Sequence, residues 1–147
     1  MPIKSFRGLI EDNSQETIPL STNNGMQGYK IVKLELFPKS PGYNAGEHVI
    51  KIYSIPQTSV DAIVDFSDQT LLATAYLGIN YAAYYGSDLI TVFDTTIFNQ
   101  DIVVTHVDVL DDKPCNYHIE LEQVKLDLTQ NTVATLKDIR NIESNSP

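Results

Sequence analysis

The chain has 147 residues, a size that fits one domain able to bury a core without disulfides or a structural metal. Ten Lys and Arg stand against 19 Asp and Glu, for a formal charge of -9 that repels nucleic-acid backbones and anionic membranes on average. The single Cys115 excludes a disulfide framework and a multi-cysteine zinc cluster, no apolar run is long enough to span a bilayer as a helix, and the N-terminus turns polar too soon for a secretory signal.

Residues 1–28 read as a mostly irregular, extended or flexible arm, rich in turn formers. Within it Phe6, Leu9 and Ile10 are apolar residues able to dock on a neighbour. "YKIVKLELF", residues 29–37, alternates as a strand with Val32, Leu34 and Leu36 on one face and Ile31, Lys33, Glu35 and Phe37 on the other. The breakers of 38–47 make a loop, and "HVIKIYSI" resumes alternation with Ile50 and Ile52 opposite Val49, Lys51 and Tyr53. It is expected to return beside the first strand as a long hairpin. Pro56 ends it, and "SVDAIVDF", residues 59–66, is a third candidate strand.

Residues 67–87 are ambiguous: Leu71, Leu72, Ala75 and Tyr76 have helical spacing behind a Ser67 or Asp68 cap, while a strand and loop fit equally. Further strands follow at 88–94, 101–109 and 116–128, with a start of one at "TTIF" and a short last strand in "TVATLKDI" before a frayed tail at 142–147. At least six strands and at most one short helix exclude a βαβ dinucleotide fold. The expected class is all-β, an antiparallel β-sandwich over residues 29–141 with the jelly roll as one form of it, and a closed barrel as the alternative.

The chemically richest stretch is "THVDVLDDKPCNYHIEL", residues 105–121, with two histidines, the only cysteine and four carboxylates. Read as a hairpin with Val109 opposite Tyr117, it sends Val103, Val107, Val109, Tyr117, Ile119 and Leu121 to the core. The other face then carries Asp108 across from His118 and His106 across from Glu120. His106, Asp108, His118 and Glu120 would form a candidate ligand patch for a divalent ion. Solvated His–acid pairs on a flat sheet face explain the same pattern more simply. Cys115 and His118 fall on a loop and the following strand, so no Cys–His nucleophile is placed, and no Ser-His-Asp or two-carboxylate arrangement emerges. The Asp-bearing loops do not match a calcium loop, and the Gly-bearing ones lack a phosphate-loop ending. No cofactor is expected, and on this basis the chain reads as not an enzyme, a metal-dependent enzyme using His106, Asp108, His118 and Glu120 being the last-ranked alternative. Tyr81, Tyr84 and Tyr85 offer an aromatic contact surface, read first as core or subunit contact and second as a stacking platform for a glycan or receptor.

"VDFSDQTLLATAYLG", "IFNQDIVVTHVD" and "NYHIELEQVKLDLTQNTVATLKDIRN" resemble segments of a family of small all-β proteins of tailed phages of marine and other aquatic bacteria. The resemblance spans roughly residues 29–141 and carries no site residues or catalytic motif onto this chain. It implies a virion-associated protein, assembled in the host cytoplasm, that decorates or stabilises a capsid. Its partners would be capsid or other virion proteins and further copies of itself, a trimer being one form, without direct contact to nucleic acid or membrane.

Overall fold

The computed structural model describes residues 2–22, 25–41, 45–79 and 87–127. They form eight strands: β1 (Ile3–Ile10), β2 (Ser14–Ile18), β3 (Gln27–Pro38), β4 (Gly46–Tyr53), β5 (Leu71–Ile79), β6 (Ser87–Phe93), β7 (Ile102–Asp108) and β8 (Cys115–Lys125). Two antiparallel sheets result, one in the order β1-β8-β3 and one in the order β2-β7-β4-β5-β6. No helix occurs among the described residues. Ile10 and Ile119 from the smaller sheet and Ile50, Ile52, Ile102 and Val104 from the larger belong to one buried apolar cluster. Taking these branched side chains from water is the main favourable term, roughly 1.5–3 kcal/mol for each one fully buried.

Several local expectations change for identifiable reasons. The stretch 1–28, expected as an irregular arm, supplies β1 and β2, because β1 finds a complete ladder along β8 and β2 one along β7. Ile10 is accordingly a core residue, Phe6 is half-buried against the core and Leu9 stays exposed. In β3 the register slips between Ile31 and Lys33, so the extra residue of a β-bulge reverses the side-chain parity. Ile31, Leu34 and Leu36 are therefore buried together, whereas Val32 is exposed. β3 and β4 do not pair as a hairpin, since β3 lies beside β8 and β4 lies between β7 and β5.

The expected strand at 59–66 is instead part of a looped segment. Its aspartates divert the backbone: Asp61 accepts from the Ile63 amide, Asp65 from the Ser67 amide and hydroxyl, and Asp68 from the Thr70 amide and hydroxyl. Such local acceptors satisfy amides that a ladder would otherwise use. The segment covers the outer face of the larger sheet, where Asp61 Oδ1 and the Ile63 carbonyl accept from the buried Lys51 ammonium at 2.9 and 2.6 Å. Burial alone would lower the Lys51 pKa, but the hydrogen bonds to Asp61 and Tyr53 outweigh it and hold the group above its ordinary value. Of the ambiguous stretch 67–87, Leu71–Ile79 form strand β5 and 80–86 lie outside the described residues, and 95–98 contributes one bridge, Phe98 to Tyr29. The expected last strand and tail lie outside the described residues.

Asp101 ties the end of β2 to the start of β7: its Oδ1 accepts from the Leu20 amide at 2.7 Å, the Ser21 amide at 2.8 Å and the Ser21 hydroxyl at 3.0 Å. The Ser21 amide is the foremost cause of a carboxyl pKa below the usual value; partial burial opposes it, and the Leu20 amide and Ser21 hydroxyl assist. Asp101→Ala is expected to cost about 1–2 kcal/mol at neutral pH, discounted for partial exposure. Because the folded-state pKa is depressed, this stabilisation is full above the unfolded carboxylate pKa and disappears as pH falls through the lower folded value. Urea unfolding of both proteins should show the gap at neutral pH and its closure as pH falls below the usual carboxylate range.

Candidate metal centre

β7 and β8 are consecutive in sequence but belong to different sheets, so residues 109–114 form a crossing between sheets and not the turn of a hairpin. That corrects the expected ligand patch. His118 pairs with Arg7 and Glu35, and Glu120 with Ser5 and Lys33, all within the smaller sheet. Their β8 neighbours Tyr117, Ile119 and Leu121 face the core as expected, which turns His118 and Glu120 outward. In β7 the expected parity is reversed, with Ile102 and Val104 in the core cluster. His106 and Asp108 share their parity, and both are buried, while Val109 is exposed. His106, Asp108, His118 and Glu120 therefore do not converge.

His106 instead meets two residues that the sequence reading did not include as ligands. His48 lies on β4 two residues before Ile50, and Cys115 opens β8 two residues before Tyr117; all three are core parities. His48 is 3% exposed, and His106 and Cys115 are 0% exposed. One ligand atom from each lies within 4.8 Å of the others. His48 Nδ1 is 3.0 Å from His106 Nε2, and the two rings stack with centroids 5.2 Å apart.

The tautomers follow from the partners. His106 Nδ1 is 3.1 Å from the Glu11 carbonyl oxygen, which only accepts, so His106 carries its proton there and leaves Nε2 as a lone pair. Without a metal, His48 Nδ1–H then donates to that lone pair. Both imidazoles are held below the ordinary histidine pKa. For His48 burial is the main cause, opposed by Asp108, reinforced by His106 and opposed again by Asp12. For His106 burial again leads, opposed by the Glu11 carbonyl and by the Asp12, Asp108 and Glu11 charges. The pair is neutral at physiological pH, the form in which imidazole ligates.

Asp108 organises the surroundings. Its Oδ1 accepts from the amides of Glu47, Leu110 and Asp111 and its Oδ2 from that of Lys113, while its own amide donates to Asp12 at 2.7 Å. Burial would raise its pKa, but the Lys113, Glu47 and Leu110 amides, aided by His48, hold it below the usual value. A Cβ on Gly46 would lie 3.2 Å from His48 Nε2 and 3.9 Å from Asp108 Oδ2, so the backbone approaches both atoms at one corner. Cys115 is a thiol with its pKa pushed up to about 12, chiefly by burial; its hydrogen bond to the Phe37 carbonyl opposes that, and Asp108 adds to it.

A tetrahedral zinc-class ion needs ligand atoms about 3.3–3.6 Å apart, from metal–nitrogen and metal–sulfur lengths near 2.0–2.3 Å. The separations here bracket that range, so small rotations of the side chains suffice. With Nδ1 deprotonated, His48 carries its proton on Nε2, at the corner it shares with Asp108, and His106 keeps its bond to the Glu11 carbonyl. The Glu11 carbonyl is an outer-shell partner of the kind that orients metal-bound imidazole, and Asp108 acts on His48 through its charge. The expectation of a chain with no catalytic constellation, and hence not an enzyme, is overturned by this cluster, whose donor set and spacing are compatible with metal-dependent chemistry.

Of the proposed contact residues, Tyr81, Tyr84 and Tyr85 lie outside the described residues. A scan against protein-family models and a search of curated proteins gave no match.

Proposed function

We propose that this protein is metal-dependent, holding a zinc-class ion through His48 Nδ1, His106 Nε2 and the Cys115 thiolate. The observation that carries the reading is the convergence of two neutral imidazoles and a thiol, all buried, from both sheets at one end of the core. Three protein ligands leave a fourth coordination position, the arrangement from which zinc activates water. Protein purified without chelator should carry close to one zinc per chain, lost in Cys115→Ala. Failure to take up zinc, cobalt or cuprous ion stoichiometrically would overturn the reading.

The strand order supports a finer reading of the fold, a sandwich of jelly-roll type. A jelly roll wraps a strip of antiparallel pairs β1–β8, β2–β7, β3–β6 and β4–β5 into two sheets. Three of these pairs are present, and β6 departs from the pattern by staying on β5 instead of crossing to β3. Jelly rolls serve in viral shells and in lectins. With the resemblance to phage proteins, this favours a second reading in which the chain is a capsid-associated virion protein, and the metal holds its two sheets together. Mass spectrometry of purified particles tests it: absence of the chain would overturn it.

A further inference from the structure

We infer that β6 is an assembly edge that pairs with β1 of a second copy of this chain. Among the described residues β6 pairs with β5 alone, so its other backbone edge has no ladder. The larger sheet has two strands more than the smaller, and β6 ends it. Its side chains are consequently exposed on both faces, with Ile90 at 59% and Val92 on the outer side and Leu89 at 44% and Phe93 on the inner. On the outer side Ile90 and Val92 form one wall of an apolar groove whose other wall is Val64 and Phe66. Edge strands are ordinarily blunted by lysine, proline or a bulge. "SDLITVF" contains none of these and no register shift interrupts its pairing.

An open, flat, apolar edge takes an extended strand through main-chain hydrogen bonds, and charge selects which one. β6 and the residue after it carry Asp88 and Asp94 with no cation. A twofold pairing of β6 with itself, centred on Thr91, would bring these acids opposite each other, which disfavours it. β1 has the opposite character: "IKSFRGLI" contains Lys4 and Arg7 and no acid, and stays net basic when Glu11 after it is counted, in a chain with almost twice as many acids as bases. Among the described residues it too is an edge, paired with β8 alone, and Ile3 and Leu9 are exposed apolar residues on it. Joining β1 of one copy to β6 of the next completes both ladders, merges the apolar faces and places bases near acids. The two edges differ, so the contact is head-to-tail, and successive copies close into a ring or continue as a filament.

Sedimentation velocity on the full chain up to millimolar concentration tests this. Wild type should form reversible assemblies that weaken with salt. Ile90→Lys, at an exposed side chain, should leave the circular dichroism unchanged and abolish assembly. Lys4→Glu/Arg7→Glu should weaken assembly about tenfold or more, and adding Asp88→Lys should restore most of the loss. A chain that remains monomeric throughout overturns the inference. Assembly indifferent to Ile90→Lys, or not recovered by the reversed charge, also overturns it.

Discussion

Zinc added to the metal-free protein should raise its unfolding temperature by about 5–10 °C at a free concentration a hundredfold above the dissociation constant. Binding to the folded state alone contributes about 2.7 kcal/mol there, and a domain of this size shifts roughly 2–4 °C per kcal/mol. The premise of native-only binding rests on chain separation. His48 and His106 are 58 residues apart and come from neighbouring strands of the larger sheet, while Cys115 belongs to the smaller one. Only the folded chain brings the three together, and an ion bound there would cross-link the two sheets.

The same binding should release one proton per ion. Burial holds the Cys115 thiol protonated up to about 12, whereas both imidazoles are already neutral at physiological pH. The metal therefore competes with a proton at sulfur alone, and affinity should rise about tenfold per pH unit between roughly pH 7 and 9. Calorimetry in buffers of different ionisation heat reads the proton count, and cobalt reads the thiolate through its sulfur-to-metal charge-transfer absorption. Cys115→Ala should lose that absorption and the thermal shift together. A thermal shift that survives in Cys115→Ala would place the ion elsewhere.

Why the sequence pointed towards histidine and carboxylate chemistry yet not to these ligands can be traced to side-chain parity. In "HVIKIY" the alternation was legible: Ile50 and Ile52 were read as one face, and His48 shares it. In β8 the inward set Tyr117, Ile119 and Leu121 was read correctly, and Cys115 is its next member towards the N-terminus. β7 was different. "IVVTHV" is apolar at both parities, as befits a strand between β2 and β4 with Val103 and Thr105 buried on the side away from the core cluster. Amphipathicity therefore could not choose a face, and the avoidance of buried polar groups chose the wrong one. The short loop before β8 suggested a hairpin, although an inter-sheet crossing needs no more residues. The bulge in β3 was invisible for a related reason, since its signal is a change of partner register.

His106→Leu should be the most damaging single substitution at the centre, costing about 1–3 kcal/mol in the presence of chelator. Leucine fills a similar volume, so little of that loss is cavity. It arises because the buried His48 Nδ1–H loses its acceptor, and an orphaned buried polar group costs about 1–3 kcal/mol; the Glu11 carbonyl keeps the Ser14 hydroxyl, which donates to it at 2.6 Å. His48→Leu/His106→Leu removes donor and acceptor together, leaves the Glu11 carbonyl its bond from the Ser14 hydroxyl, and replaces the imidazoles with apolar groups that suit a core containing Ile50 and Val104. It should therefore recover to within about 1 kcal/mol of wild type, since an apolar replacement of a whole buried polar pair is close to neutral. Neither variant should bind metal. Chemical denaturation of the four proteins with chelator and with zinc gives the coupling between the two histidines directly. Recovery in the double variant means that stability alone does not require the pair, and that it is retained for what it binds. Additive losses would instead make the two imidazoles a structural element of the core, with no call on a metal to explain them.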